Sequence, residues 1–144
     1  MNQIEMLNLV TELEGYVIAH APRFSLTDSP EAAFKPLSDT GRYIIWDGAS
    51  EQTIFSNPLA NYYFRAWHEA AHVMGELAFS FDEEYKVWEA HCRELYKAFD
   101  LRTAKRLGLI LYEEVVLQAE EYQVTGAFPV NQKQFAIEKL GRMK

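Results

Sequence analysis

Residues 57–75 read NPLANYYFRAWHEAAHVMG and lie in the middle of the chain. Asn57 and Pro58 are residue types preferred at the N-cap and at the first position of a helix. Gly75 is a residue type that commonly follows a helix end. The segment therefore predicts a helix that begins near residue 58, runs to about Met74 and carries the most distinctive pattern in the sequence.

That pattern is His68-Glu69-Ala70-Ala71-His72, or H-E-x-x-H. Residues four positions apart lie on one face of a helix, so the two imidazoles can converge on one metal ion. Glu69 points to the side, where its carboxylate can hold a water molecule that completes the metal shell. The sequence thus predicts a metal site; the alternative is two histidines that pack among aromatic residues.

The chain has no proline between residues 59 and 128, and proline is the residue that most strongly breaks a helix. Long helices are therefore predicted to fill this interval. Residues 80–83 (SFDE) form a capping box that starts a second long helix. A third is predicted from about Thr103 to Gln123, and Asn131 is predicted to cap a last short helix.

The first part of the chain is predicted to be more irregular. Apolar residues spaced three and four apart indicate an amphipathic helix from Ile4 to Ala19. Residues 22–58 hold four of the five prolines and include Ser29-Pro30, the start of a short helix. Residues 42–46 and 52–55 are β-prone and predict a small hairpin before the central helix. The fold class is mainly α (α+β), with three long helices.

Length and composition limit the functions to consider. The chain has 144 residues, which fits a single domain spanning 1–144, and its net charge is −7. This acidic balance argues against a nucleic-acid partner. The first residues do not resemble a signal peptide, and no apolar run is long enough for a membrane span. A single cysteine, Cys92, fits a reducing compartment, so a cytoplasmic, membrane-free protein is expected.

The motif in its helix resembles the zincin superfamily of zinc metallopeptidases, whose central helix bears H-E-x-x-H after a small sheet. The resemblance implies that His68 and His72 bind zinc and that Glu69 is the catalytic general base. It also implies a peptide or protein substrate. The metzincin extension continues through Gly75 but requires a third ligand where this chain has Ala78, so that subtype is excluded. Another divalent metal remains an alternative to zinc.

The third metal ligand has to come from elsewhere in the chain. Glu114 is the first choice, with Gln118 one turn later as its hydrogen-bonding partner. On an ideal helical wheel Glu113 faces water, although it stays an alternative ligand together with two residues of the preceding helix, His91 and Glu84. Arg65, one turn before His68, is predicted either to contact substrate or to form a surface salt bridge.

A second and looser resemblance is to small uncharacterised proteins encoded by bacteriophages. It rests on residues 65–72 (RAWHEAAH), 114–118 (EVVLQ) and 128–132 (FPVNQ). It implies a rival function, a non-enzymatic helical module that binds and modulates a host protein, with a structural metal or none. The sequence therefore supports two hypotheses: a zinc-dependent hydrolase and a binding module.

Overall fold

The computed structural model describes residues 1–34 and 41–143. These residues form a mainly helical fold with one small sheet, which confirms the predicted fold class. The predicted irregular region overlaps residues 35–40, which lie outside the described ranges. The elements, in chain order, are α1 (Gln3–His20), β1 (Phe24–Thr27), a 3-10 turn (Ala32–Phe34), β2 (Tyr43–Trp46), α2 (Pro58–Gly75), α3 (Phe81–Ala98), α4 (Leu101–Leu111), a π-helical segment (Tyr112–Leu117), α5 (Gln118–Thr125) and α6 (Gln132–Gly141).

The helix starts follow the predicted caps. The side chains of Asn57, Ser80 and Asn131 each accept a hydrogen bond from the backbone N–H three residues later. Such bonds satisfy N–H groups that have no partner within the helix. At the C-terminal end of α2, Glu76 adopts a left-handed conformation with φ 53°. The chain therefore turns sharply after α2 and enters α3 only a few residues later.

The contribution of a helix cap to stability can be tested directly at Ser80. We expect Ser80→Ala to lower the free energy of unfolding by about 1 kcal/mol, because the N–H of Glu83 loses its acceptor. Ser25→Ala, at an exposed position of β1, is the matched control and should change stability little. Urea denaturation of both variants measures the effect, and equal stabilities would contradict a role for the cap.

The predicted hairpin is wrong. Strand β2 pairs instead with β1, in parallel, with Phe24 opposite Tyr43 and Thr27 opposite Trp46. Residues 52–55 form no strand, and Thr53, Ile54 and Phe55 are buried. Their β-prone side chains are buried in the core and do not pair as a strand. The backbone carbonyl of Gln52 instead accepts a hydrogen bond from the N–H of Lys133 at the start of α6.

The main core lies where α1, α2, α4 and the π-helical segment meet. Its fully buried side chains include Leu13 and Val17 of α1, with Leu107 and Ile110 of α4. A smaller cluster packs β2 onto the back of α2 through Tyr43, Ile45 and Ala66. Helix α2 is therefore held between the sheet and the other helices. No described helix has the length and apolar character of a membrane span.

The predicted third long helix is present but has a defect in its middle. It is continuous from Leu101 to Thr125, and Gly126 ends it with φ 82°. Within it, the N–H of Gln118 bonds to the carbonyl of Glu113, five residues earlier and not four. A π-helical turn of this kind inserts one extra residue per turn and rotates the side chains that follow it.

Candidate metal centre

Helix α2 presents His68 and His72 from one face toward the start of α3. The two Nε2 atoms lie 3.0 Å apart. Glu84, in the first turn of α3, places Oε2 3.2 Å from His68 Nε2 and Oε1 2.8 Å from His72 Nε2. Among the described residues, these three form the group whose ligand atoms all lie within 4.8 Å of one another.

This donor set fits a zinc ion. Two imidazole nitrogens and one carboxylate are a common zinc shell, and bonds of about 2.0–2.1 Å in a tetrahedron separate the ligand atoms by about 3.3 Å. The observed separations of 2.8 to 3.2 Å are slightly shorter. A movement of a few tenths of an ångström would therefore admit the ion.

The outer nitrogen of each histidine also has a partner. His72 Nδ1 lies 3.1 Å from the carbonyl oxygen of Leu77. A carbonyl only accepts hydrogen bonds, so His72 carries a proton on Nδ1, and the neutral form of the ring that could bind a metal has its lone pair on Nε2. His68 Nδ1 lies 3.0 Å from His91 Nε2, which is placed to accept the corresponding proton. Partners of this kind fix the orientation and tautomer of metal-binding histidines.

His91 contacts the centre through His68. It is buried in α3, and its ring stacks on Trp67 with 3.9 Å between centroids. Burial, with the nearby charges of His68 and His72, holds the pKa of His91 well below its usual value. A neutral imidazole can accept a hydrogen bond from His68 Nδ1. The position of His91 thus matches a core histidine that orients a ligand.

The charges of the centre balance one another. Burial alone would raise the pKa of Glu84, but the charge and hydrogen bonds of His68 and His72 outweigh it and lower that pKa to about 2. Burial would lower the pKa of His72, yet the hydrogen bond and charge of Glu84 raise it overall. The buried carboxylate of Glu84 thus lies against two imidazoles. Its negative charge can be neutralised by a proton on an imidazole or by a metal ion that the imidazoles bind.

Glu69 lies beside this group and not within it. Its side chain lines a pocket of about 390 Å³ that also contains His72. Burial raises the pKa of Glu69, while the charges of His68 and His72 act in the opposite direction. A half-buried carboxylate next to a metal ligand, with a raised pKa, is suited to accept a proton from water.

The structure places Glu84, and not Glu114, beside the two histidines. Glu114 bonds instead to Gln118, whose Nε2 donates to Glu114 Oε2 at 3.1 Å and also to Glu113 Oε1 at 3.1 Å. Gln118 therefore is a partner of Glu114 as predicted, but in a cluster outside the metal centre. Glu114 and Glu113 both lie within the π-helical segment (Tyr112–Leu117).

The prediction that Glu113 faces water is wrong. Its side chain has no exposed area, and Glu113 Oε2 and Glu114 Oε1 are buried without a hydrogen-bond partner within the described ranges. An ideal wheel of 3.6 residues per turn places Glu113 outside, but the π-helical turn brings it inward. Burial and the charge of Glu114 raise the pKa of Glu113 well above its usual value.

Arg65 binds backbone and forms no salt bridge with the residues that the structure describes. Its Nη1 donates at 2.6 Å to the carbonyls of Trp46 and Gly48, and its Nη2 donates at 3.2 Å to Ala49. The guanidinium also lies 5.5 Å above the ring of Trp46. Arg65 thus holds the loop after β2 against α2, and three of its donors are already used.

Glu84 is the residue that sequence reasoning placed too low among the possible ligands. Its position in the first turn after the Ser80 cap has a sufficient explanation in the helix dipole. A second signal was present: Glu84 and His91 are seven residues apart, two helical turns, and so lie on one face of α3. That face is the one turned toward His68 and His72.

Comparison of the chain with protein-family models, with curated proteins and with solved structures gives no match.

Proposed function

We propose that the protein is a zincin-like, zinc-dependent hydrolase that acts on peptide or similar amide bonds. The observation that carries the proposal is the convergence of His68 Nε2, His72 Nε2 and the Glu84 carboxylate within 3.2 Å of one another. The H-E-x-x-H pattern supplies two of these groups from one helix, and α3 supplies the third. Glu84 thus takes the role that the sequence had suggested for Glu114.

Each residue of the centre has one task in this reaction. His68, His72 and Glu84 would hold zinc, which supplies a Lewis acid and makes water a nucleophile at neutral pH. Glu69 holds the water beside His72, takes its proton on a carboxylate oxygen as the water attacks the carbonyl, and passes that proton to the leaving amine. His91 and the carbonyl of Leu77 keep the two imidazoles in the required tautomers.

The test distinguishes the role of Glu69 as general base from the role of a metal ligand. We expect zinc-loaded Glu69→Gln to retain one zinc per chain but to lose about 10²- to 10⁴-fold in rate on a library of fluorogenic peptides. Glu89→Gln, at an exposed glutamate of α3, is the matched control and should keep the wild-type rate. Elemental analysis and initial rates are the two measurements. A zinc-loaded wild type without turnover, or Glu69→Gln as active as wild type, would refute the hydrolase.

One observation favours the second candidate function, the helical module that binds a host protein. The Glu84 carboxylate pairs with His68 and His72 at 3.2 and 2.8 Å, so the centre is electrostatically satisfied without a metal. A metal-free binding module would keep its melting temperature and its partner in the presence of a chelator. A zinc enzyme, or a module with a structural metal, would instead lose stability, because an ion that binds only the folded state stabilises it.

We place either function in a reducing compartment such as the cytoplasm. Cys92 is the one cysteine in the sequence and is half-buried in α3. Burial and the charge of Glu89 raise the pKa of its thiol to about 11, so little of it is reactive thiolate. Cys92 is thus a packing residue and has no part in the proposed reaction.

A further inference from the structure

The pocket beside His72 has a composition that restricts what can enter it. Its volume is about 390 Å³, within the range of small-molecule sites. Apolar residues form most of its wall, namely Val73, Leu77, Ala78 and Phe79. Glu69 and Glu76 contribute two carboxylates, and the lining contains no lysine or arginine.

The apolar wall is fixed directly to the metal centre. The N–H of Leu77 donates to the carbonyl of His72 at 2.9 Å, while His72 Nδ1 donates to the carbonyl of Leu77. The ring of Phe79 stacks on the imidazole of His72 with 4.4 Å between centroids, yet 48% of Phe79 remains exposed. A group held against Leu77 and Phe79 would therefore lie beside His72 and the proposed general base, Glu69.

The charges of the same pocket oppose an anion. Glu69, which is half-buried, and Glu76, which is exposed, would repel a carboxylate at short range. Enzymes that bind a substrate carboxylate commonly use an arginine, whose planar fork matches it. The nearest candidate on α2, Arg65, already binds the carbonyls of Trp46, Gly48 and Ala49.

We propose that this pocket binds the uncharged apolar side chain next to the cleaved amide and rejects substrates that place a carboxylate there. This inference rests on the proposed zinc hydrolase and narrows its substrates to apolar peptides cut away from a free C-terminal carboxylate. Leu77 and Phe79 make the apolar contact with that side chain, and the carboxylates of Glu69 and Glu76 repel a substrate that carries a carboxylate.

The test uses hydroxamates, which bind zinc directly and differ only in the group that would enter the pocket. Isothermal titration of the zinc-loaded protein compares acetohydroxamate, butanohydroxamate, benzohydroxamate and succinic monohydroxamate. We expect the phenyl compound to bind at least about tenfold more tightly than acetohydroxamate. We expect the succinic compound, which carries a carboxylate where butanohydroxamate has a methyl group, to bind at least about tenfold more weakly than butanohydroxamate.

Two variants identify the pocket as the source of the difference. Ala78→Phe adds a ring to the exposed lining and should remove the advantage of benzohydroxamate while acetohydroxamate still binds. Met74→Ala is the control, because Met74 is 84% exposed and lines the neighbouring pocket. Circular dichroism and zinc content verify that both variants fold and load.

The possible outcomes distinguish the two proposals. Equal affinities for all four hydroxamates, or an unchanged preference in Ala78→Phe, would overturn the pocket inference and leave the zinc hydrolase standing. Absence of zinc-dependent binding by every hydroxamate would refute the metal centre, and the pocket inference with it. The expected ranking, lost only in Ala78→Phe, would support both.

Discussion

Replacing Glu84 with glutamine is expected to weaken zinc binding by about 100-fold or more, whereas Glu114→Gln is expected to leave it unchanged. Glu84 lies within 3.2 Å of both imidazole Nε2 atoms and Glu114 does not join their group. Loss of a residue that only orients a ligand already weakens metal binding about 10- to 100-fold, so loss of a charged ligand should do more. Competition with a fluorescent zinc chelator measures both affinities.

Glu84→Gln carries a risk that a second variant removes. A neutral amide leaves the buried histidines without their counter-charge and can destabilise the fold. Glu84→Asp keeps the charge but withdraws the oxygen by one methylene group, so zinc affinity should fall while the melting temperature of the metal-free protein is largely kept. Wild-type affinity in both Glu84 variants would exclude Glu84 as a ligand, and loss of affinity in Glu114→Gln would restore the sequence-based choice.

Several features of the fold were predictable because their causes are local. The helix caps at Asn57, Ser80 and Asn131 depend on residues three positions apart, and each appears as predicted. The position of His68 and His72 on one face of a helix follows from a spacing of four residues. These features need no knowledge of which elements pack together.

The features that were missed depend on contacts between distant parts of the chain. Residues 42–46 have a strong β pattern, but nothing in it shows that the partner strand is Phe24–Thr27 and not residues 52–55. The convergence of Glu84 with the histidines depends on the left-handed turn at Glu76, which reverses the chain between α2 and α3. Such pairings are set by packing, which overrides local propensity.

The buried pair Glu113 and Glu114 was missed for a different reason. Helical-wheel reasoning assumes 3.6 residues in every turn, and one π-helical bond between residues 113 and 118 violates that assumption. The wheel therefore placed Glu113 in water, although the structure buries it. A sequence pattern that fits an α-helix gives no sign of such a turn.

This buried pair leads to the second large expected effect, a dependence of stability on pH. Burial raises the pKa of Glu114 from 4.5 to about 7, although hydrogen bonds from Glu113 and Gln118 and the charge of Arg65 oppose the rise. An acid with a raised pKa in the folded state is ionised first in the unfolded state, which favours unfolding as pH increases. The free energy of unfolding should therefore fall by about 3 kcal/mol between pH 4.5 and about 7.

Glu114→Gln should reduce this fall, because the amide has no proton to lose, although burial also raises the pKa of Glu113 and keeps that residue's share of it. Exposed Glu120→Gln on the same helix should retain the whole fall. The raised pKa of His72 also makes the free energy of unfolding fall as pH rises, in an overlapping pH range. This contribution is the same in all three proteins. Glu84, with a pKa of about 2, matters only under more acidic conditions. Urea denaturation at pH 4.5, 6 and 7.5 with a chelator present isolates the difference, and parallel curves for wild type and Glu114→Gln would show that Glu114 does not contribute to it.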